Sequence, residues 1–407
     1  MNNAPAPARR IASLDGLRGV AAFIVIISHL VVGFFPALYF GSEGHACKAV
    51  QDAIAKSPLF VLYSGTFAVY VFFVLSGLVI SASAARTRCP LPLLIAIRYA
   101  RLTIPILVSV CFAFAMVHLL PGAAQRAAHL VGHWWLDFMY QPMNLPFSFA
   151  VKEAAYTVYL TGLSYYNNVL WTMRIEFAGS VAIYVLYAVC GRSVRVPALC
   201  LLSLVTCFAI RDWPTNLMGF FLGALMFEAW DRGLIARNSL CGALLVLAGL
   251  FLGGLPFAPV SGSVYEGVSS FVEAFSPAFS TVRAAGATAL ILGLFMWKRA
   301  GSLFESRMPQ FFGRISFALY LIHFPLLCIG MSELYWRYGQ SGAASVAAIA
   351  LCYIAVTIAT AYAMTVLVDE PTVRFLARVR KAWPFRSAAL ETAPAEVLET
   401  RGTSRDF

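Results

Sequence analysis

Residues 13–32 read SLDGLRGVAAFIVIISHLVV, and their reading decides the fold. From Val20 to Phe40 the chain carries no Asp, Glu, Lys or Arg. A helix of about 20 such residues spans the roughly 30 Å hydrocarbon core of a bilayer. The run exceeds the usual 7–15 apolar residues of a cleaved signal peptide, so it reads as a membrane span. A plain anchor has no need of Asp15 and Arg18 at its mouth or of His29 in its middle. Arg18 and His29 are eleven positions apart, close to three helical turns, which stacks them about 16 Å apart along one face. Ionisable groups inside spans are costly and face a bundle interior or a watery cavity. The first span therefore reads as one wall of a polar cleft.

The rest of the chain repeats the apolar pattern. Of its 407 residues 60% are hydrophobic and 12% charged, against about 25% charged in an ordinary soluble domain. Ten spans are expected, near 19–40, 58–83, 100–120, 170–190, 196–211, 215–230, 239–256, 279–297, 314–334 and 343–368. The fold class is all-α, a polytopic helical membrane protein. With the N-terminus inside, 22 of the 30 Lys and Arg fall on cytoplasmic segments. The outer segments hold Lys48, Lys56, Arg126, Lys152, Arg211, Arg283 and Arg337, and Arg174 lies within a span. That bias places both termini in the cytoplasm. The formal charge of +11 is thus explained by topology, and no nucleic-acid partner is read from it. Seven of the nine cysteines sit in apolar segments, and Cys47 and Cys89 fall on opposite sides of the membrane. A disulfide framework is not expected.

Residues 1–8 and 388–407 are rich in small and polar residues and read as disordered, flanking one transmembrane domain over 9–387. The long outer segment 121–169 is unusual: Gly132 to Trp171 contains eleven aromatic residues and three charges. It suits either an interfacial aromatic belt or a platform on which sugar rings or a lipid-linked acceptor would stack.

Four further clusters carry chemistry. In ARTRCPLPLLIAIRYARLTIP (85–105), Arg86, Arg88, Arg98 and Arg101 fall on the cytoplasmic side. Arg98 and Arg101, three apart, share a helix face, and guanidinium forks bind phosphate bidentately. In NNVLWTMRIEFAGS (167–180), Arg174 and Glu176 lie about 200° apart around a helix and need different partners. Glu176 can activate a hydroxyl or orient an imidazole. FGRISFALYLIHFP (312–325) places His323 in the ninth span, and VDEPTVRF (368–375) sets Asp369 and Glu370 at the last cytoplasmic boundary. No metal-ligand spacing is present.

Six stretches, SLDGLRGVAAFIVIISHL, FFVLSGLVIS, the Arg98–Arg101 pair, NNVLWTMRIEF, ISFALYLIHFP and DEPTVRF, occur in the order seen in the acyltransferase-3 membrane family. The chain resembles that family over roughly residues 11–376. The resemblance implies an integral-membrane O-acyltransferase that takes an acyl group, usually acetyl, from cytoplasmic acyl-CoA. The acceptor it implies is a hydroxyl, usually of a sugar in an envelope or exported glycan. It carries over His29 and Arg18 as the functional pair, Glu176 as the acidic position, and Arg98, Arg101, Arg86 and Arg88 as the donor side. Asp15, Ser76, Trp171, His323 and Glu370 stand in the matched motifs as supporting positions. MRIEFAGS departs from the commoner LSVEEQFY-like run, so one of two adjacent acids remains. The chain has no room for the esterase-like domain fused to some relatives.

The implied chemistry suits these residues. A CoA thioester is already activated, so the enzyme must position donor and acceptor and remove the hydroxyl proton. A neutral histidine serves as that base. Direct transfer and an acetyl-histidine intermediate are both open, with direct transfer favoured. Acetyl-CoA enters as substrate, and no tightly bound cofactor is expected. The expected setting is a bacterial-type plasma membrane, with a glycan or lipid-linked saccharide as acceptor and glycan-export proteins as partners. Two alternatives compete: a transporter or flippase for an acylated sugar or small molecule, and an acyltransferase acting on a secreted small molecule such as a macrolide.

Overall fold

The computed structural model describes residues 12–41, 49–87, 89–140, 145–208, 212–256, 262–268, 270 and 279–382. They form helices and turns, with no strand among the described residues. The principal helices are α1 (Ala12–Phe34), α2 (Gly65–Ala84), α3 (Leu91–Leu119), α4 (Trp171–Val189) and α5 (Arg192–Cys207). They continue with α6 (Asp212–Asp231), α7 (Ser239–Gly253), α8 (Phe279–Met296), α9 (Arg307–Pro325), α10 (Ala343–Met364) and α11 (Glu370–Ala382). Seven helices are long and apolar enough to cross a membrane: α1, α2, α3, α4, α8, and α9 and α10 with their continuations. They correspond to seven of the ten expected spans. α5 and α7, with 16 and 15 residues, fall short of the 30 Å core at about 1.5 Å per residue, and α6 lies outside the seven as well.

Lipid tails offer helices no hydrophobic reason to associate, so close packing through small residues holds such bundles together. The contact of α1 with α9 is of this kind and sets the site. A Cβ on Gly19 would lie 2.3 Å from the Gly313 amide nitrogen, and one on Gly313 would lie 2.3 Å from the Asp15 carbonyl oxygen. The glycines of SLDGLRG and FGRIS therefore bring two backbones together. α2 and α6 meet the same way, with Gly77 against the Phe220 carbonyl and Gly223 against that of Val74.

Pro325 explains a second local feature. It lacks an N–H, so the carbonyl of Leu321 loses its intrahelical donor. The helix passes into a wide π turn at Leu326–Met331. The freed Leu321 oxygen accepts from Asn167 Nδ2 at 2.7 Å and from Ser109 Oγ at 2.7 Å. These bonds tie α9 to α3 and to the entry of α4.

The aromatic segment 121–169 folds into short helices, among them Ala123–Val131 and Trp135–Met139, and packs into the bundle. Tyr140, Leu136 and Tyr166 are buried there. The buried Glu153 accepts from Ser164 Oγ at 2.5 Å, Tyr165 N at 2.7 Å and Tyr166 N at 3.3 Å. Burial raises its carboxyl pKa, and those hydrogen bonds oppose the rise.

Candidate functional site

Two cavities lie inside the bundle. The first, of about 220 Å³, is lined by Arg18, Ser76, Arg98, Arg101, Glu176 and Ser316, among others. The second, of about 290 Å³, is lined by His29, Tyr39, Trp134, Trp135, Asn168 and Trp171, among others. Val69 of α2 and Tyr320 of α9 line both. The two cavities adjoin at that pair of side chains, which forms the waist between an arginine half and a histidine half. Arginine dominates one half, and a histidine among aromatic rings the other.

In the arginine half each guanidinium has a partner. Arg98 donates from Nε to Ser180 Oγ at 2.9 Å and forms an ion pair through Nη2 with Glu176. Glu176 also accepts from Ser76 Oγ at 2.8 Å. Arg101 engages both carboxylate oxygens of Asp369 and lies over the Phe317 ring, 5.3 Å from its centroid. Arg18 Nη1 is 3.7 Å from Asp15 Oδ1. Three arginines line this half, and guanidinium forks are groups that bind phosphate bidentately.

In the other half two histidines meet. His323 is fully buried, and its Nδ1 lies 3.1 Å from the Leu319 carbonyl, to which it donates. Its Nε2 is then the bare nitrogen, 3.1 Å from His29 Nδ1. His29 Nδ1 is also 2.9 Å from the Val25 carbonyl oxygen, so it carries the proton and shares it between the two acceptors. This assignment follows from the hydrogen-bond network. It leaves His29 Nε2 as an unprotonated nitrogen in a residue that lines the cavity. A neutral imidazole held this way can accept a proton.

The residues singled out in the sequence divide among these surroundings. Arg18, Arg98, Arg101, Ser76 and Glu176 share the arginine half, with Asp15 beside it as the partner of Arg18. His29 and Trp171 line the other half, and His323 backs His29. Glu176 sits five residues into α4 and faces the arginines, rather than His29 or the outer end of its span. Arg174 turns away and donates to the Thr161 carbonyl at 3.2 Å, as the angular offset requires. Arg86 is exposed on the turn after α2 and lines neither cavity. Arg88 lies outside the described residues. Glu370 accepts from Arg314 Nε at 2.7 Å and lines neither cavity. No group of three metal-ligating side chains is gathered among the described residues.

Three roles here escaped sequence reasoning. Asp369 was visible only as a boundary acid, yet it holds Arg101 from 268 positions away in sequence. Tyr320 carried no signal beyond its place one turn before His323. Asn167 could have been found from Pro325, because the freed carbonyl needs a donor.

The family model described as an acyltransferase domain (acyltransferase-3) matches residues 11–366. The chain is also similar to the O-acetyltransferase PaAT-1 of Phomopsis amygdali, with 27% identity over 368 residues, 77% of this chain and 71% of that protein. No solved structure matches it.

Proposed function

Since the chain belongs to the acyltransferase-3 family, an assignment that makes it a membrane-embedded O-acyltransferase, we propose that it moves acetyl from cytoplasmic acetyl-CoA to a hydroxyl of an envelope or exported glycan. The membrane is the plasma membrane of a bacterial-type cell, and the glycan is presented free or lipid-linked. The single observation that carries the reading is the pair of adjoining cavities with unlike linings, arginines on one side of Val69 and Tyr320 and His29 among aromatic rings on the other.

In this reading the CoA phosphates lie toward Arg18, Arg98 and Arg101, and the thioester reaches inward to the waist. Flat indole faces at Trp134, Trp135 and Trp171 suit a sugar ring. They bring its hydroxyl beside His29. The hydroxyl oxygen attacks the thioester carbonyl, His29 Nε2 takes its proton, and the C–S bond breaks to release CoA thiolate, which recovers the proton. His323 holds the ring so that Nε2 stays bare. Positioning two reactants supplies about 7–11 kcal/mol of such a barrier, and a well-placed base a further 10²–10⁴-fold. Glu176 acts through Arg98, steadying the donor side.

Purified protein in lipid vesicles, given labelled acetyl-CoA and a glycan acceptor, is expected to place the label on the glycan. Movement of an acylated glycan across the vesicle membrane without any transfer of label would make the protein a transporter instead.

A further inference from the structure

We infer that the waist between Val69 and Tyr320 sets the largest acyl group the enzyme transfers. The inference rests on the donor and acceptor ends proposed above. Val69 and Tyr320 are the two residues common to the linings of both cavities, and both are buried. In direct transfer the thioester carbonyl must stand where a hydroxyl beside His29 can reach it, so the alkyl part of the acyl group has to fit at this constriction.

Neither side of the waist yields easily. The Tyr320 hydroxyl donates to the Val169 carbonyl at 2.8 Å and lies 2.9 Å from Thr172 Oγ1. The Phe72 ring stands 6.2 Å from its ring, at a steep angle. Val69 is β-branched and confined to few rotamers, and close-packed interiors respond to a change of a single methylene. The space beside this pair is therefore a fixed gauge rather than a flexible sleeve. Val69 is the member that can be resized without cutting a hydrogen bond, because it has none to lose.

The chemistry of transfer is the same for every donor: the acyl carbon–sulfur bond breaks, the acyl carbon–oxygen bond forms, and the hydroxyl proton ends on CoA thiolate. Only the alkyl group differs, so a change in donor preference reports on the space around it. One methylene too many or too few in such a pocket is worth about 10–200-fold in rate.

Full-length wild type, Val69→Ala and Val69→Leu are to be compared in vesicles with acetyl-, propionyl- and butyryl-CoA. Transfer is measured per folded molecule, alongside acetyl-CoA binding. Val69→Ala is expected to raise the butyryl-to-acetyl transfer ratio about 10-fold or more, and Val69→Leu to lower the propionyl-to-acetyl ratio. Ratios unchanged from wild type in either folded, active variant overturn the gauge while leaving the proposed function intact. If folded wild type transfers no acyl group from any of the three donors, the proposed function falls and the gauge falls with it.

Discussion

Gly313→Ala adds one methyl group about 15 Å along α9 from His323, at 1.5 Å per residue, and is expected to disable the enzyme. The new Cβ would stand 2.3 Å from the Asp15 carbonyl oxygen, against an ordinary contact of 3.4 Å, so α1 and α9 must part by about 1 Å. Both atoms of the clash belong to helix backbones, and no side chain can swing away to relieve it. The His29–His323 bond is 3.1 Å long; stretched by that amount it is no longer a hydrogen bond. His29 then keeps only the Val25 carbonyl of its own helix as acceptor and loses its tie to α9, and a misplacement of 1 Å costs about 10²-fold in rate, or about 2.7 kcal/mol of barrier. The backbone effect runs the other way, since Ala is favoured over Gly in a helix interior by about 1 kcal/mol. The assay is acyl transfer in membranes per folded molecule, with folded protein counted by size-exclusion chromatography. Gly191→Ala serves as the control, because a Cβ there meets nothing within 4 Å. Near-wild-type turnover by folded Gly313→Ala would refute the idea that the α1–α9 contact sets the site.

Two further outcomes follow from the polar contacts. Arg98→Ala leaves Glu176, whose side chain is 14% exposed, without its ion-pair partner, a loss of about 1–3 kcal/mol for a part-buried charged hydrogen bond; Glu176→Gln in the same protein should restore much of the thermal stability but not acetyl-CoA binding. Asn167→Ala removes one of two donors to the Leu321 carbonyl and should cost about 1–3 kcal/mol in thermal unfolding, and adding Pro325→Ala, which returns a backbone N–H to that turn, should recover part of it.

The sequence made the helical membrane class and the His29 wall legible because both are local. An apolar run of bilayer length and an eleven-residue spacing need no knowledge of the rest of the chain. The meeting of His29 with His323 was not legible in that way. It depends on Gly19 and Gly313 bringing two distant helices within backbone contact, and three-dimensional adjacency leaves no periodic trace. Glu176 shows the same gap from the other side. Its ionisable character inside a span marked it for function, yet its partner could not be chosen until α3 placed Arg98 against it. Arg86 is ambiguous in another way, since charge near a membrane end signals orientation as readily as binding, and it lines neither cavity. The aromatic segment was ambiguous between belt and platform. In the folded chain Trp134 and Trp135 line the cavity of His29, while Phe138, Tyr156 and Tyr165 are exposed.

The most direct measurement of the central claim is acceptor acetylation by His29→Asn, taken together with acetyl-CoA binding by the same preparation. Asparagine keeps a polar side chain at the position but offers no basic nitrogen, while the arginine-lined cavity is untouched. The expected outcome is folded protein, acetyl-CoA binding close to wild type, and acetylation lower by about 10²-fold or more. Wild-type activity should also fall on acidification, because a protonated imidazole cannot accept the hydroxyl proton. Acetylation by folded His29→Asn near the wild-type rate would contradict the account and leave His29 a packing residue.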